Sequence, residues 1–224
     1  MKLTLIATPI GNDDDITLRA LNTLKTTKVI VCEELKVTRR RLSKWGIPPQ
    51  KKELHQLNEH SSPEDVKALT ELCETQDVAL VTDCGTPSFF DPGFKLVKSC
   101  LLKNIEIASL PGVSSMTSLF PFLRTKTERF DVLGFPPRDN DERNHFFKNL
   151  KNIDHPILLL DTPYRLKKTF ENLQKFTPKH QCVVGINLTC EDERVLYGTP
   201  SEVLDQMSDL NKENFICMVY PAKS

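Results

Sequence analysis

Short apolar runs alternate with stretches of helical spacing along the first half of the chain. Lys2 to Ala7 reads as a buried strand that ends at Thr8-Pro9-Ile10-Gly11-Asn12. Ile16, Leu18, Ala20, Leu21 and Leu24 then recur at helical spacing, with Asp13, Asp14 and Asp15 at the positive end of the helix dipole. Val29 to Cys32 is a second strand, and Glu33 and Glu34 stand just past it. Lys36 to Lys44 reads as a helix carrying Lys36, Arg39, Arg40, Arg41 and Lys44. Ser62-Pro63-Glu64-Asp65 starts another helix, with a cap residue, Pro at the first position and acids in the first turn; it runs to about Thr75. Val78 to Val81 is a third strand and Ile105 to Leu110 a fourth, with a helix over Phe94, Leu96, Val97 and Leu101 between them. Strands separated by helices predict a parallel α/β half.

Near Arg124 to Glu128 the pattern changes. Phe130 to Gly134 and Pro156 to Leu160 read as strands, each followed by a helix, the first roughly Asp139 to Asn152 and the second from after Arg165 to about Lys175. Cys182 to Leu188, Arg194 to Tyr197 and Phe215 to Tyr220 are further strands, with a short helix from Ser201 to Met207. Strands outnumber crossover helices here, which predicts a mixed sheet. The expected domains are 1–122, an N-terminal α/β domain, and 128–224, a C-terminal α/β domain.

Composition narrows the class. The chain has 224 residues, with 30 Lys+Arg against 30 Asp+Glu, so any basic surface is local. The 7 Cys are scattered without C-x-x-C or His spacing, which predicts no metal and a reduced, cytoplasmic protein. No apolar run approaches the length of a membrane span and no cleavable leader opens the chain, so no membrane partner is expected. The basic run from Lys36 has two readings, a solvated helix face or a patch for phosphates.

The nucleotide fingerprints G-x-G-x-x-G and G-x-x-x-x-G-K-[ST] are absent, as is G-x-S-x-G. Four loops rich in Gly, Pro and hydroxyls close the strands: Pro9 to Asn12, Cys84 to Asp91, Pro111 to Ser115 and Asp161 to Arg165. Singly each is a plain turn. Together, at corresponding strand ends, they predict a cleft for a flat polar molecule read by backbone groups.

The motifs carry a resemblance. Thr8-Pro9-Ile10-Gly11-Asn12 with Asp15-Ile16-Thr17-Leu18-Arg19-Ala20-Leu21, and Asp83-Cys84-Gly85-Thr86-Pro87 with Asp91-Pro92-Gly93, resemble one branch of the tetrapyrrole methylase superfamily. That branch comprises the small-subunit rRNA (cytidine-2′-O)-methyltransferases. Pro111-Gly112-Val113-Ser114-Ser115, Gly134-Phe135-Pro136-Pro137-Arg138, Thr162-Pro163-Tyr164-Arg165-Leu166, Leu188-Thr189 and Gly198-Thr199 match later motifs in order. The pattern departs at Glu33-Glu34-Leu35-Lys36, where the branch has Glu-Asp-Thr-Arg, and at Ile186-Asn187-Leu188-Thr189-Cys190, where it has Arg-Glu-Leu-Thr-Lys. The chain also stops at Ser224, without the C-terminal extension of longer members.

The resemblance implies a two-domain tetrapyrrole-methylase-like fold: a parallel α/β N-terminal half and a mixed-sheet C-terminal half, with S-adenosylmethionine in the cleft between them. The cofactor would lie against Pro9, Cys84, Gly85, Thr86, Ser114, Ser115, Leu160, Asp161, Thr162, Leu188 and Thr189. A homodimer and an rRNA or small-ribosomal-subunit substrate are implied, with phosphates met by Lys36, Arg39, Arg40, Arg41, Arg138 and Arg165. Lys44, Lys51 and Lys52 extend that patch, and Arg143 joins Arg138 and Arg165 on a second wall. A ribose hydroxyl gains from a base, and Glu33, Glu34 and Asp83 are the carboxylates at strand ends; the other reading makes them hydrogen-bonded structural groups. Two alternatives to rRNA methylation are a member with another acceptor, such as a tetrapyrrole, and an inactive cofactor- or RNA-binding protein.

Overall fold

The computed structural model describes residues 1–222. Met1–Ser114 is one compact unit, and a second begins at Ser115.

The first unit contains β1 (Lys2–Ile6), α1 (Leu18–Thr26), β2 (Val29–Cys32), α2 (Leu35–Lys44), β3 (Glu53–Gln56), α3 (Pro63–Thr75), β4 (Val78–Val81), α4 (Gly93–Leu102) and β5 (Glu106–Leu110). The strands form one parallel sheet in the order β3-β2-β4-β1-β5. Leu3 lies beside Val78 and Ile107, and Val29 beside Val78 and Glu53. The hydrophobic pattern does not reveal β3. It is a sheet edge of half-buried and exposed residues, held to β2 by backbone pairing and not by an apolar run.

Caps set the helix starts. The Thr17 hydroxyl accepts the Ala20 N–H of α1, and Ser62 and Asp65 form a reciprocal capping box on α3. Alternation along the strands then divides the core. Ile6, Ile30, Ala79 and Val81 face α1 and α2 through Ala20, Leu24 and Leu42. Leu3, Leu5, Val29, Val31, Val78 and Leu80 face α3 and α4 through Leu69, Cys73, Leu96 and Cys100. Each fully buried Leu, Ile or Val side chain contributes about 1.5–3 kcal/mol. The helix after β1 and the helix after β4 therefore lie on opposite faces of neighbouring strands. That is the topological switch point of an open α/β sheet, where ligands bind beyond the carboxyl ends.

The second unit contains α5 (Ser115–Leu119), β6 (Asp131–Gly134), α6 (Asn140–Asn149), β7 (Ile157–Asp161), α7 (Leu166–Phe176), β8 (Gln181–Ile186), β9 (Arg194–Gly198), α8 (Pro200–Gln206) and β10 (Phe215–Tyr220). Its order is β6-β7-β10-β8-β9, with β6 parallel to β7 and the other pairs antiparallel, the expected mixed sheet. Phe147, Leu166, Phe170, Leu173 and Val203 of the helices, with Met207 just past α8, cover Leu159, Val184, Ile186, Cys217 and Val219. No helix among the described residues is long and apolar enough to cross a membrane.

Candidate active site

At the switch point the two loops are laced together. Thr8 N donates to Gly85 O and Gly85 N to Thr8 O, both at 2.9 Å. The Thr8 hydroxyl donates to Thr82 O at 3.0 Å. Gly85 holds φ at +81°, a left-handed conformation in which a Cβ is strained. The β5 loop approaches from the other side: a Cβ on Gly112 would lie 2.8 Å from the Ala7 Cβ. This is bare backbone brought close, as the Gly/Pro pattern predicts.

Arg41 of α2 lies beneath both loops. Its guanidinium donates to Asp83 O through Nη1 and to Pro9 O through Nη2, the latter at 3.1 Å. Its Nε is 3.3 Å from Asp13 Oδ1, and Lys44 Nζ is 2.9 Å from Asp13 Oδ2. Trp45 Nε1 donates to Asp13 O at 3.0 Å, which fixes the acid in turn. Arg41 is thus spent on the fold and withdrawn from the set expected to meet phosphates.

The carboxylates gather at the ends of β2 and β4. Asp83 N donates to Glu33 Oε2 at 3.4 Å, and Glu34 N donates to Asp83 Oδ1 at 3.3 Å. Gln56 of the unforeseen strand β3 donates to Glu33 O at 3.0 Å and to Glu34 Oε1 at 3.3 Å. Burial pushes the Glu33 carboxyl above its ordinary value against the Asp83 N–H bond, and the negative charge of Asp83 adds to the rise. Burial also raises Asp83, opposed by the Glu34 N–H and the Arg41 charge. Asp91, which sequence reasoning left without a role, shapes the rest of the loop. It accepts Phe89 N at 2.9 Å and Gly93 N at 2.8 Å, a turn that Asp-Pro-Gly could have signalled.

In the second unit Asp161 ends β7 and is buried between two arginines. Its Oδ2 lies 2.8 Å from Arg143 Nη2 and from the Thr169 hydroxyl, and its Oδ1 lies 2.8 Å from Arg165 Nη2. Arg165 Nη1 also donates to Pro136 O at 3.1 Å and Pro137 O at 3.2 Å. The side chains of Arg143 and Asp161 are 1% and 0% exposed. The network pins the Phe135 to Arg138 turn to the end of β7. Arg143 and Arg165, expected on a wall open to RNA, are internal struts instead, because a buried carboxylate needs paired donors.

The Asn187 turn is closed locally, at φ +46°. Its amide donates 2.7 Å bonds to Asp192 Oδ2 and Glu213 Oε2, and its Oδ1 accepts Asn214 N at 3.1 Å. Thr189 N donates to Glu193 Oε2 at 2.7 Å. The departure from the family pattern at this point has its own hydrogen-bond framework.

The remaining expected residues fall as follows. Pro9, Gly85 and Leu188 are buried; Thr86, Ser114, Ser115, Leu160, Thr162 and Thr189 are half-buried; Cys84 is exposed. Lys36, Arg39, Arg40 and Arg138 are exposed, whereas Lys52 donates to Lys25 O at 2.8 Å and Thr27 O at 2.7 Å. Glycine, proline and backbone groups at strand ends suit a flat polar group such as an adenosyl moiety, and the bare backbone at Gly85 allows its close approach. Among the described residues no group of three His, Cys, Asp or Glu side chains is placed to hold a metal ion.

Comparisons with known proteins agree with this arrangement. The model of the tetrapyrrole (corrin/porphyrin) methylases matches residues 2–204. Ribosomal RNA small subunit methyltransferase I of Hydrogenobaculum sp. is 32% identical over 216 residues, covering 94% of this chain and 91% of the relative. The protein of the same name from Thermotoga maritima is 31% identical over 223 residues, 99% of each chain. Among solved structures, uroporphyrin-III C-methyltransferase of Thermus thermophilus, crystallised with S-adenosylhomocysteine, has a TM-score of 0.68 at 16% identity, covering 98% of this chain and 97% of that one. Diphthine synthase has a TM-score of 0.74 at 16% identity, covering 100% and 91%. The chain belongs to the tetrapyrrole (corrin/porphyrin) methylases, and is by that membership an S-adenosylmethionine-dependent methyltransferase.

Proposed function

We propose that the chain methylates a ribose 2′-hydroxyl of small-subunit ribosomal RNA. The observation that carries this reading is the match, near 30% identity over almost all of the chain, to relatives named for that rRNA. The likeness to a uroporphyrin methyltransferase rests on 16% identity and concerns the fold, so it does not favour a tetrapyrrole acceptor.

When bound, S-adenosylmethionine supplies an electrophilic methyl group on a sulfonium. Backbone groups of Gly85 and Thr86, the Pro9 wall, the Ser114-Ser115 turn, the strand end from Leu160 to Thr162, and Leu188-Thr189 would hold it. In-line displacement requires chiefly position and exclusion of water, which loops tied as tightly as Thr8 and Gly85 supply. Glu33 or Asp83 would accept the proton of the ribose hydroxyl. Burial raises both carboxyls, which makes them better proton acceptors than an ordinary surface acid. Glu34 is exposed and bonded to Gln56, and serves to brace the pair. Lys36, Arg39, Arg40 and Arg138 meet RNA phosphates, and the chain works in the cytoplasm as a homodimer.

Single-turnover transfer of a labelled methyl group onto small ribosomal subunits tests the proposal, with the product located by nuclease digestion. Label in a ribose methyl is expected, with a loss of about 10²–10⁴-fold for the Glu33→Gln or Asp83→Asn variant of whichever residue is the base. Label on a base, or no transfer by a protein that binds S-adenosylhomocysteine, would remove the ribose assignment. Less than about threefold loss in both amide variants, against that general-base range, would remove the general base.

A further inference from the structure

The loop after β4 and the helix it enters carry a surface that the methyl-transfer scheme leaves unused. Phe89 and Phe90 are 47% and 53% exposed, and Phe94, in the first turn of α4, is 58% exposed. The Phe89 and Phe90 rings meet edge to face with centroids 4.5 Å apart. Phe90 holds φ at +62° and Ser88 at +70°, conformations that side-chain-bearing residues rarely adopt. The Asp91 carboxylate, bonded to Phe89 N and Gly93 N, holds this turn and so displays the rings in a set arrangement.

Along α4, Phe94, Lys98 and Leu101 share one face at helical spacing, and Lys95 lies beside them. Lys95 and Lys98 are exposed, and α4 contains no Asp or Glu. Aromatic rings beside cations match a single-stranded polyanion whose bases have flat apolar faces, and the acid between the rings, Asp91, is engaged by the Phe89 and Gly93 N–H groups. A second copy of the chain fits less well. A two-fold contact on this face would set the Lys95 and Lys98 charges near their own copies, with no acid on α4 to pair them.

We propose that Phe89, Phe90 and Phe94 form a stacking platform for unpaired RNA bases next to the methylated nucleotide, with Lys95 and Lys98 on the adjoining phosphates. This rests on the rRNA reading and assigns its base-recognition surface. Sequence-specific recognition of RNA targets unpaired loops and bulges, whose splayed bases are received on aromatic side chains.

The test is fluorescence anisotropy with a short labelled single-stranded RNA, in the presence of S-adenosylhomocysteine, at several salt concentrations. Phe89→Ser with Phe90→Ser is expected to weaken binding about tenfold or more, in keeping with the loss of base stacking, with an unchanged salt slope. Lys95→Gln with Lys98→Gln should lower the salt slope by about two. An RNA with adjacent abasic positions should bind the wild type weakly and show no further loss with the Phe variant. Phe94→Ser alone, an exposed helix position, gives a second reading if the double variant folds poorly. Sedimentation of each protein accompanies the titrations. Wild-type affinity in the Phe variants, with subunit methylation intact, would overturn the platform and leave the rRNA reading standing. No binding of this RNA by the wild type would overturn the platform, and the rRNA reading falls with it only where methyl transfer onto small subunits also fails. A wild-type dimer that the Phe substitutions split, at unchanged RNA affinity per chain, would assign the surface to a second copy and overturn the proposal.

Discussion

Arg41→Leu tests the strut beneath the two loops. The substitution removes two charge-assisted hydrogen bonds, to Asp83 O and Pro9 O, and one ion pair to Asp13. Bonds to charged groups contribute about 1.5–3 kcal/mol each. The lower end applies here, because Leu keeps much of the side-chain packing. The Asp13 pair adds little, since Lys44 still serves that carboxylate at 2.9 Å. The expected loss is about 3 kcal/mol, or about 6–12 °C in Tm for a chain of this size. If about half of that loss falls on the loops, S-adenosylhomocysteine binding weakens about tenfold, since about 1.4 kcal/mol is a decade. Arg41→Lys keeps the charge but loses the fork, and should fall between the two. Scanning calorimetry gives the first quantity and isothermal titration the second. An Arg41→Leu protein melting within about 2 °C of wild type, well short of the shift expected for a chain of this size, with unchanged ligand affinity, would show that the guanidinium holds nothing.

Arg143→Met leaves Asp161 buried against one remaining arginine; removal of one partner from a buried pair costs about 3–5 kcal/mol, read by urea unfolding. Glu33→Gln should stabilise the protein at neutral pH. The native carboxyl is raised, so the folded state holds its proton more tightly, and wild-type stability falls as pH rises from the ordinary carboxylate range through the raised native value. Melting curves across pH check this: the gain from Gln should vanish at low pH, and a gain that grows on acidification would contradict the assigned shift. Gly112→Ala places a Cβ 2.8 Å from the Ala7 Cβ, so the β1 and β5 ends must part. S-adenosylhomocysteine affinity should drop, and equal affinity in titration would remove Gly112 from the binding loops.

The parallel sheet of the first unit and the mixed sheet of the second follow from apolar runs and helical spacing, because burial on one face writes its period into the chain. Val29–Cys32 and Phe215–Tyr220 have the bounds that the pattern predicts. The edge strand Glu53–Gln56 does not show, because backbone pairing with one neighbour leaves no hydrophobic period. The site loops were legible as Gly/Pro punctuation at strand ends. The acids Glu33, Glu34 and Asp83 were legible just past apolar runs, and the structure links them through backbone donors, Glu34 N to the Asp83 carboxylate and Asp83 N to the Glu33 carboxylate.

Charge is where the two levels part. Lys36, Arg39, Arg40 and Arg41 form one basic run in the sequence, yet only Arg41 turns inward to tie two loops. Arg143 and Arg165 look like surface arginines until Asp161 is found between them. The chain by itself determined the elements, their order and the loops that carry the chemistry, since these depend on local spacing, caps and turn residues. The tertiary structure alone decided which charges are spent inside and which remain for a partner. A guanidinium has the same composition in either place, and only the carbonyls and carboxylates packed around it, brought from distant parts of the chain, settle its use.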